Sequence, residues 1–203
     1  MITSTRPTRV RAAAARAFTL TEVIITSTLT GVIVGAILST FLMMGRTGAN
    51  IRNYTELEAQ ARKALEVFAR DVRMAGNVSW NGGSPSDATN VTLALPNATL
   101  PASNTEITYF WDTDSTSATY RCFCRKAGAY DSTNVPTVLV RNVTVFHIYG
   151  FKIGGGTTTA TNALDTKQVQ LNLTASRTST TVVTATDLVL SARFILRNKS
   201  VTI

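Results

Sequence analysis

From Phe18 to Met44 the chain reads FTLTEVIITSTLTGVIVGAILSTFLMM, 27 residues in which Glu22 is the only charged side chain. As a helix this run would be about 40 Å long at 1.5 Å per residue, more than the roughly 30 Å hydrocarbon core of a bilayer requires. It can span a membrane. Arg6, Arg9, Arg11 and Arg16 precede it with no acid among them, and Arg46 and Arg52 follow. That bias favours a cytoplasmic N-terminus and export of the remainder. An ordinary secretory signal has an apolar core of only about 7 to 15 residues with a small-x-small cleavage site behind it. Here the run is longer and continues Gly45-Arg46-Thr47-Gly48, so a signal cut behind its apolar core fits poorly. An uncleaved anchor fits the length equally well.

A carboxylate inside a transmembrane helix costs about 2.5 to 3.5 kcal/mol, so Glu22 marks a function and needs a partner unless it snorkels to the interface. Gly31 and Gly35 form a G-x-x-x-G, a spacing that either lets helix backbones approach closely or marks sites where the helix loosens during assembly.

The chain is long enough, at 203 residues, to bury one core, and its net charge of +8 invites a nucleic-acid reading. Four of the twenty basic residues are the leader arginines, however. Without them 16 basic side chains face 12 acidic ones, or +4. The remainder is dispersed and shows no nucleic-acid motif, which leaves DNA binding a minor reading.

Beyond Gly48 the pattern changes. Ile51, Tyr54, Leu57, Ala61, Leu65, Phe68, Val72 and Ala75 recur at steps of three and four and draw one apolar stripe along a helix, expected to be core. Glu58 with Arg62 and Glu66 with Arg70 are acid-before-base pairs four apart on its polar side. The helix is expected to stop near Gly76-Asn77 in a left-handed cap. Strands follow at Val91 to Leu95, Ile107 to Trp111, Tyr120 to Cys124, Val138 to Tyr149 with a break near Asn142, Gln168 to Ala175, and Leu188 to Leu196. Alternation is clearest in Val169, Leu171 and Leu173 against Gln168, Gln170 and Asn172. Asn81-Gly82-Gly83-Ser84-Pro85 and Gly154-Gly155-Gly156-Thr157 read as flexible connections. The expected fold is α+β: one long N-terminal helix, its first half apolar and its second amphipathic, packed on a mainly antiparallel sheet.

The front of the apolar run, Arg16-Ala17-Phe18-Thr19-Leu20-Thr21-Glu22, joins a basic leader, a small residue, an aromatic opening and a carboxylate four positions on. It resembles the cleavage and methylation signal of type IV prepilins and pseudopilins. The resemblance implies a pilin-like fold, a cut between Ala17 and Phe18 by a membrane prepilin peptidase on the cytoplasmic side, and N-methylation of Phe18. It also implies pairing of Glu22 with the N-terminal amine of a neighbouring subunit. The family usually has Gly before the cut, where this chain has Ala17. The stretch Ala64-Leu65-Glu66-Val67-Phe68-Ala69-Arg70-Asp71-Val72-Arg73-Met74-Ala75-Gly76 resembles the end of the same helix in the J-type secretion pseudopilin and W-type pilus minor pilin group. Leu139 to Val143, Val169 to Leu173 and Phe194 to Asn198 follow that group in order. The chain then divides into a cleaved leader 1–17, a transmembrane and assembly half-helix 18–44, an amphipathic half 45–76, and an exported β-rich domain 77–203 that forms one unit with 49–76. Its expected partners are the peptidase, other pilin or pseudopilin subunits and the inner membrane, with a cell-surface or periplasmic filament as destination.

An enzyme needs a constellation of titrating or attacking groups, and the chain has one histidine and no H-E-x-x-H, G-x-S-x-G or phosphate-loop pattern. Catalysis, cofactor and metal are therefore not expected. His147, among Val145, Phe146, Ile148 and Tyr149, reads as a satisfied strand histidine. Asp112-Thr113-Asp114-Ser115-Thr116 offers alternate oxygens but lacks the glycine and distal glutamate of a calcium loop, so it reads as a solvated turn. Cys122 and Cys124, two apart, fit either a strained bridge or two free thiols. Against a structural subunit stands a second class: a membrane-anchored module that presents its β-rich domain to DNA, a surface or a secreted substrate.

Overall fold

The computed structural model describes residues 18–81, 83–96, 104–153, 158–179 and 182–199. The leader 1–17, Gly82 and the 154–157 connection lie outside the described residues. Among the described residues one helix, α1 (Leu20–Met74), is followed by eight strands: β1 (Asn77–Ser79), β2 (Asn90–Pro96), β3 (Asn104–Trp111), β4 (Phe123–Ala127), β5 (Thr137–Val140), β6 (Val143–Phe151), β7 (Gln168–Ser179) and β8 (Val182–Ile195). The class is α+β, with every strand pairing antiparallel. The strands form two sheets rather than one, a five-stranded sheet in the order β1-β2-β3-β4-β5 and a three-stranded sheet β6-β7-β8. The chain divides into two compact units, with the boundary between Gly45 and Arg46.

The first unit is the N-terminal part of α1. Its apolar side chains are exposed throughout, and the helix is long and apolar enough to cross a membrane. Most of its hydroxyls do not work against that. Thr26, Ser27, Thr28, Thr30 and Thr40 each donate to a carbonyl three or four residues back, so the helix itself satisfies them. A Cβ added at Gly31 or Gly35 would meet nothing, so packing inside the chain does not explain the pair.

In the second unit, α1 from Asn53 to Val72 buries one face against strands of both sheets. Ala61, Ala64 and Ala69 are small enough to bring the helix backbone close, and Phe68 fills the space between. Its ring packs edge-on against Tyr109 at 4.9 Å, Phe194 at 5.9 Å and Phe123 at 6.4 Å. The stripe lies rotated from its expected position. Leu57, Ala61, Phe68, Val72 and Ala75 are core, but Ile51 and Tyr54 are exposed and Leu65 is only half-buried, while Ala64 and Asp71 take buried places. Glu58 pairs with Arg62 at 2.5 Å, whereas Arg70 turns from Glu66 to its neighbour Asp71.

Other boundaries also differ from expectation. Gly76 is not left-handed: α1 ends at Met74, whose carbonyl accepts from Asn198 Nδ2, and Gly76 N–H already bonds Ala94 O of β2, so the chain passes directly into β1. Tyr120 and Arg121 belong to a turn, because Arg121 sits at φ 57° and Cys122 N–H closes onto Thr119 O; β4 begins only at Phe123. The break at Asn142 is present, also at φ 57°, and separates β5 from β6. The left-handed region costs a non-glycine residue about 1 kcal/mol, least for Asn. In β7, Val169, Leu171 and Leu173 face the core as their alternation requires; Gln168, on the opposite parity, is nevertheless buried. β8 starts at Val182, well before Leu188, extending its pairing with β7.

Segment 84–89 covers the outer edge of β6: Ala88 and Ile148 exchange backbone hydrogen bonds, and Gly150 N–H donates to Pro85 O at 2.6 Å. That closeness requires glycine, since a Cβ at Gly150 would stand 2.7 Å from Trp80.

Candidate assembly site

The sequence singled out Ala17, Phe18 and Glu22. Ala17 lies outside the described residues. Phe18 is 78% exposed and, with Thr19, precedes the first helical residue, Leu20. Thr19 is the N-cap. Its carbonyl accepts from Glu22 N–H at 3.1 Å and Val23 N–H at 3.2 Å, and its hydroxyl accepts a longer bond from Glu22 N–H at 3.3 Å. Thr19-Leu20-Thr21-Glu22 therefore has the spacing of a capping box, which places the acid in the first turn, at the positive end of the helix dipole. Periodicity and charge alone did not bring out this local role, which is compatible with a second one. Among the described residues the Glu22 carboxylate makes no ion pair, and every apolar neighbour along the run is exposed.

The second unit holds a polar anchor that periodicity did not reveal. Asp71, 1% exposed, accepts from Tyr109 Oη at 2.7 Å and Arg125 Nε at 2.8 Å on one oxygen, and from Arg70 Nε at 3.2 Å on the other. It ties α1 to β3 and β4. Burial, then the hydrogen bond to Asp71, pushes the Tyr109 hydroxyl far above its ordinary value. Burial opposes the charge on Arg125, but Asp71 more than offsets it and holds that guanidinium above its usual value. The signal available was an acid between Phe68 and Val72 on the apolar stripe, where an unpaired carboxylate would be costly.

The remaining candidates are accounted for locally. His147 Nδ1 lies 2.6 Å from Asp87 Oδ1, and its ring stacks at 5.9 Å on Tyr149. Asp112 accepts from Ser117 Oγ and Thr119 Oγ1 at 2.6 Å each and from Asp114 N–H at 3.0 Å; Asp114 closes on Thr116. These carboxylates hold the turn together. Among the described residues no three His, Cys, Asp or Glu side chains gather as metal ligands would. Cys122 and Cys124 are free and buried, and burial, with the neighbouring Cys122, pushes the Cys124 thiol up to about 12.

Two comparisons with known proteins return no match: no family model fits the chain, and no curated protein matches it significantly.

Proposed function

We propose that the chain is a minor pilin or pseudopilin, processed at Ala17-Phe18 and assembled through its N-terminal helix into a type IV pilus or secretion pseudopilus. One observation carries the reading. The N-terminal part of α1 is apolar and wholly exposed, and its single acid stands in the first turn with no ion-pair partner among the described residues. Before assembly a bilayer covers such a surface; in a filament, neighbouring helices do. In either setting Glu22 requires a cation, and the amine that cleavage creates at Phe18 supplies one. Phe18 is about four residues from Glu22, roughly 6 Å of helix rise, so a neighbour displaced by a similar axial step brings its carboxylate to that amine.

Mass spectrometry of the N-terminus of the purified protein tests the processing step. A methylated Phe18 is expected. An intact Met1 in cells that contain a prepilin peptidase would overturn the reading and leave an uncleaved anchor.

A further inference from the structure

Where the chain crosses from the five-stranded to the three-stranded sheet, three backbone irregularities converge. Arg121 and Asn142 are the non-glycine residues with positive φ among the described residues, and the β6–β7 register shifts between Val143 and Val145, which makes Thr144 the extra residue of a bulge. The two turns are tied together, Val143 N–H donating to Arg121 O at 2.8 Å and Ser176 N–H to Asn142 O at 2.9 Å. Their side chains line one cleft of about 240 Å³ formed by Arg121, Asn142, Thr144 and Ser176, with no acid in its wall.

Position 121 closes the β3–β4 connection in a conformation that suits glycine, yet it carries a guanidinium. That guanidinium faces no carboxylate among the described residues and rests over the Tyr120 ring at 5.7 Å. The Asn142 amide and the Ser176 hydroxyl likewise have no protein partner among the described residues, while Thr144 Oγ1 donates to Thr174 O. Three unengaged donors, one of them charged, thus come from three separate chain segments. A carboxylate accepts in its own plane and carries one charge, whereas a phosphate accepts in three dimensions and carries up to about two, the better match for donors arriving from three separate segments. The cleft exceeds the size of a free anion, which leaves space for a group attached to it.

We propose that this cleft binds a phosphate group, with Arg121 as its charged ligand and Asn142 and Ser176 as neutral donors. The site does not depend on the assembly reading.

The test uses the full chain in a neutral maltoside detergent and follows the backbone amide resonances of residues 121, 142 and 176 during titration with inorganic phosphate, glycerol 3-phosphate and acetate. Saturation by the phosphates, with acetate weaker, is expected. Tighter binding of glycerol 3-phosphate identifies an organic phosphate as the source, and tighter binding of the inorganic ion identifies free phosphate. Arg121→Gly removes the guanidinium while accepting the same φ without strain, so it should weaken phosphate binding about tenfold or more with an unfolding midpoint equal to or above wild type. Ser176→Ala should weaken it less. Absence of saturation at about 50 mM, acetate binding as tightly as phosphate, or an Arg121→Gly variant that binds like wild type would each overturn the proposal.

Discussion

Val32 and Phe68 lie on the same helix, yet Val32 is 71% exposed and Phe68 is fully buried. The first unit contains a denser run of apolar residues than the second and buries none of them within the chain. Along its part of α1 the second has a sparser set of apolar positions, spaced at helical steps, and buries one face of them, Leu57, Ala61, Ala64, Phe68 and Val72, against strands. Full burial of a Val or Phe side chain is worth about 1.5 to 3 kcal/mol. The second unit gains that free energy from its own strands, whereas the first can gain it only from something outside the chain, lipid or other helices. Hydrophobicity thus records the demand for burial, and the tertiary structure records where it is met.

The largest effect expected along this divide is at Glu22. Glu22→Ala and Glu22→Gln should insert into the membrane normally, leave the unfolding of the second unit unchanged, and enter sheared filaments about tenfold less than wild type or worse. Comparing sheared and membrane fractions checks this. Equal entry of both variants into filaments would make Glu22 a capping residue and nothing more.

Asp71→Ala probes the opposite situation, a buried acid whose partners lie within the fold. It leaves the Tyr109 hydroxyl and the Arg125 guanidinium without their acceptor, and should destabilise the second unit by about 3 to 5 kcal/mol in denaturant unfolding. A loss under about 1 kcal/mol would mean that the anchor is dispensable.

Phe68→Ala should cost about 3 to 5 kcal/mol through transfer and cavity terms, and Leu65→Ala, on the half-buried flank, clearly less than Phe68→Ala. Equal losses at the two positions would place the stripe where the periodicity alone put it.

The smallest effect concerns pH. Because the folded state raises the Tyr109 pKa above its ordinary value of 10.0, the stability it confers is complete below pH 10 and falls as pH rises toward the folded value. Above about pH 10, wild type should lose up to roughly 1.4 kcal/mol per pH unit more than Tyr109→Phe. Parallel stability profiles for the two proteins between pH 9 and 11 would contradict that assignment.

The apolar run, its lone acid, the change to an amphipathic period after Gly48 and the break at Asn142 were all legible in the sequence, because each depends on near neighbours in the chain: a period, a charge within a run, a turn-forming residue. The same local information indicated the α+β class. Tertiary structure decided the rest. It rotated the buried stripe to admit Ala64 and Asp71, since the strands opposite supply Tyr109 and Arg125, 38 and 54 residues away. It divided the strands into two sheets. It placed Arg121 in a left-handed turn where β propensity suggested a strand, and brought it to one cleft with Asn142 and Ser176. These outcomes depend on partners distant in sequence, and a carboxylate or guanidinium shows nothing of its partner until the fold brings the two within hydrogen-bonding distance.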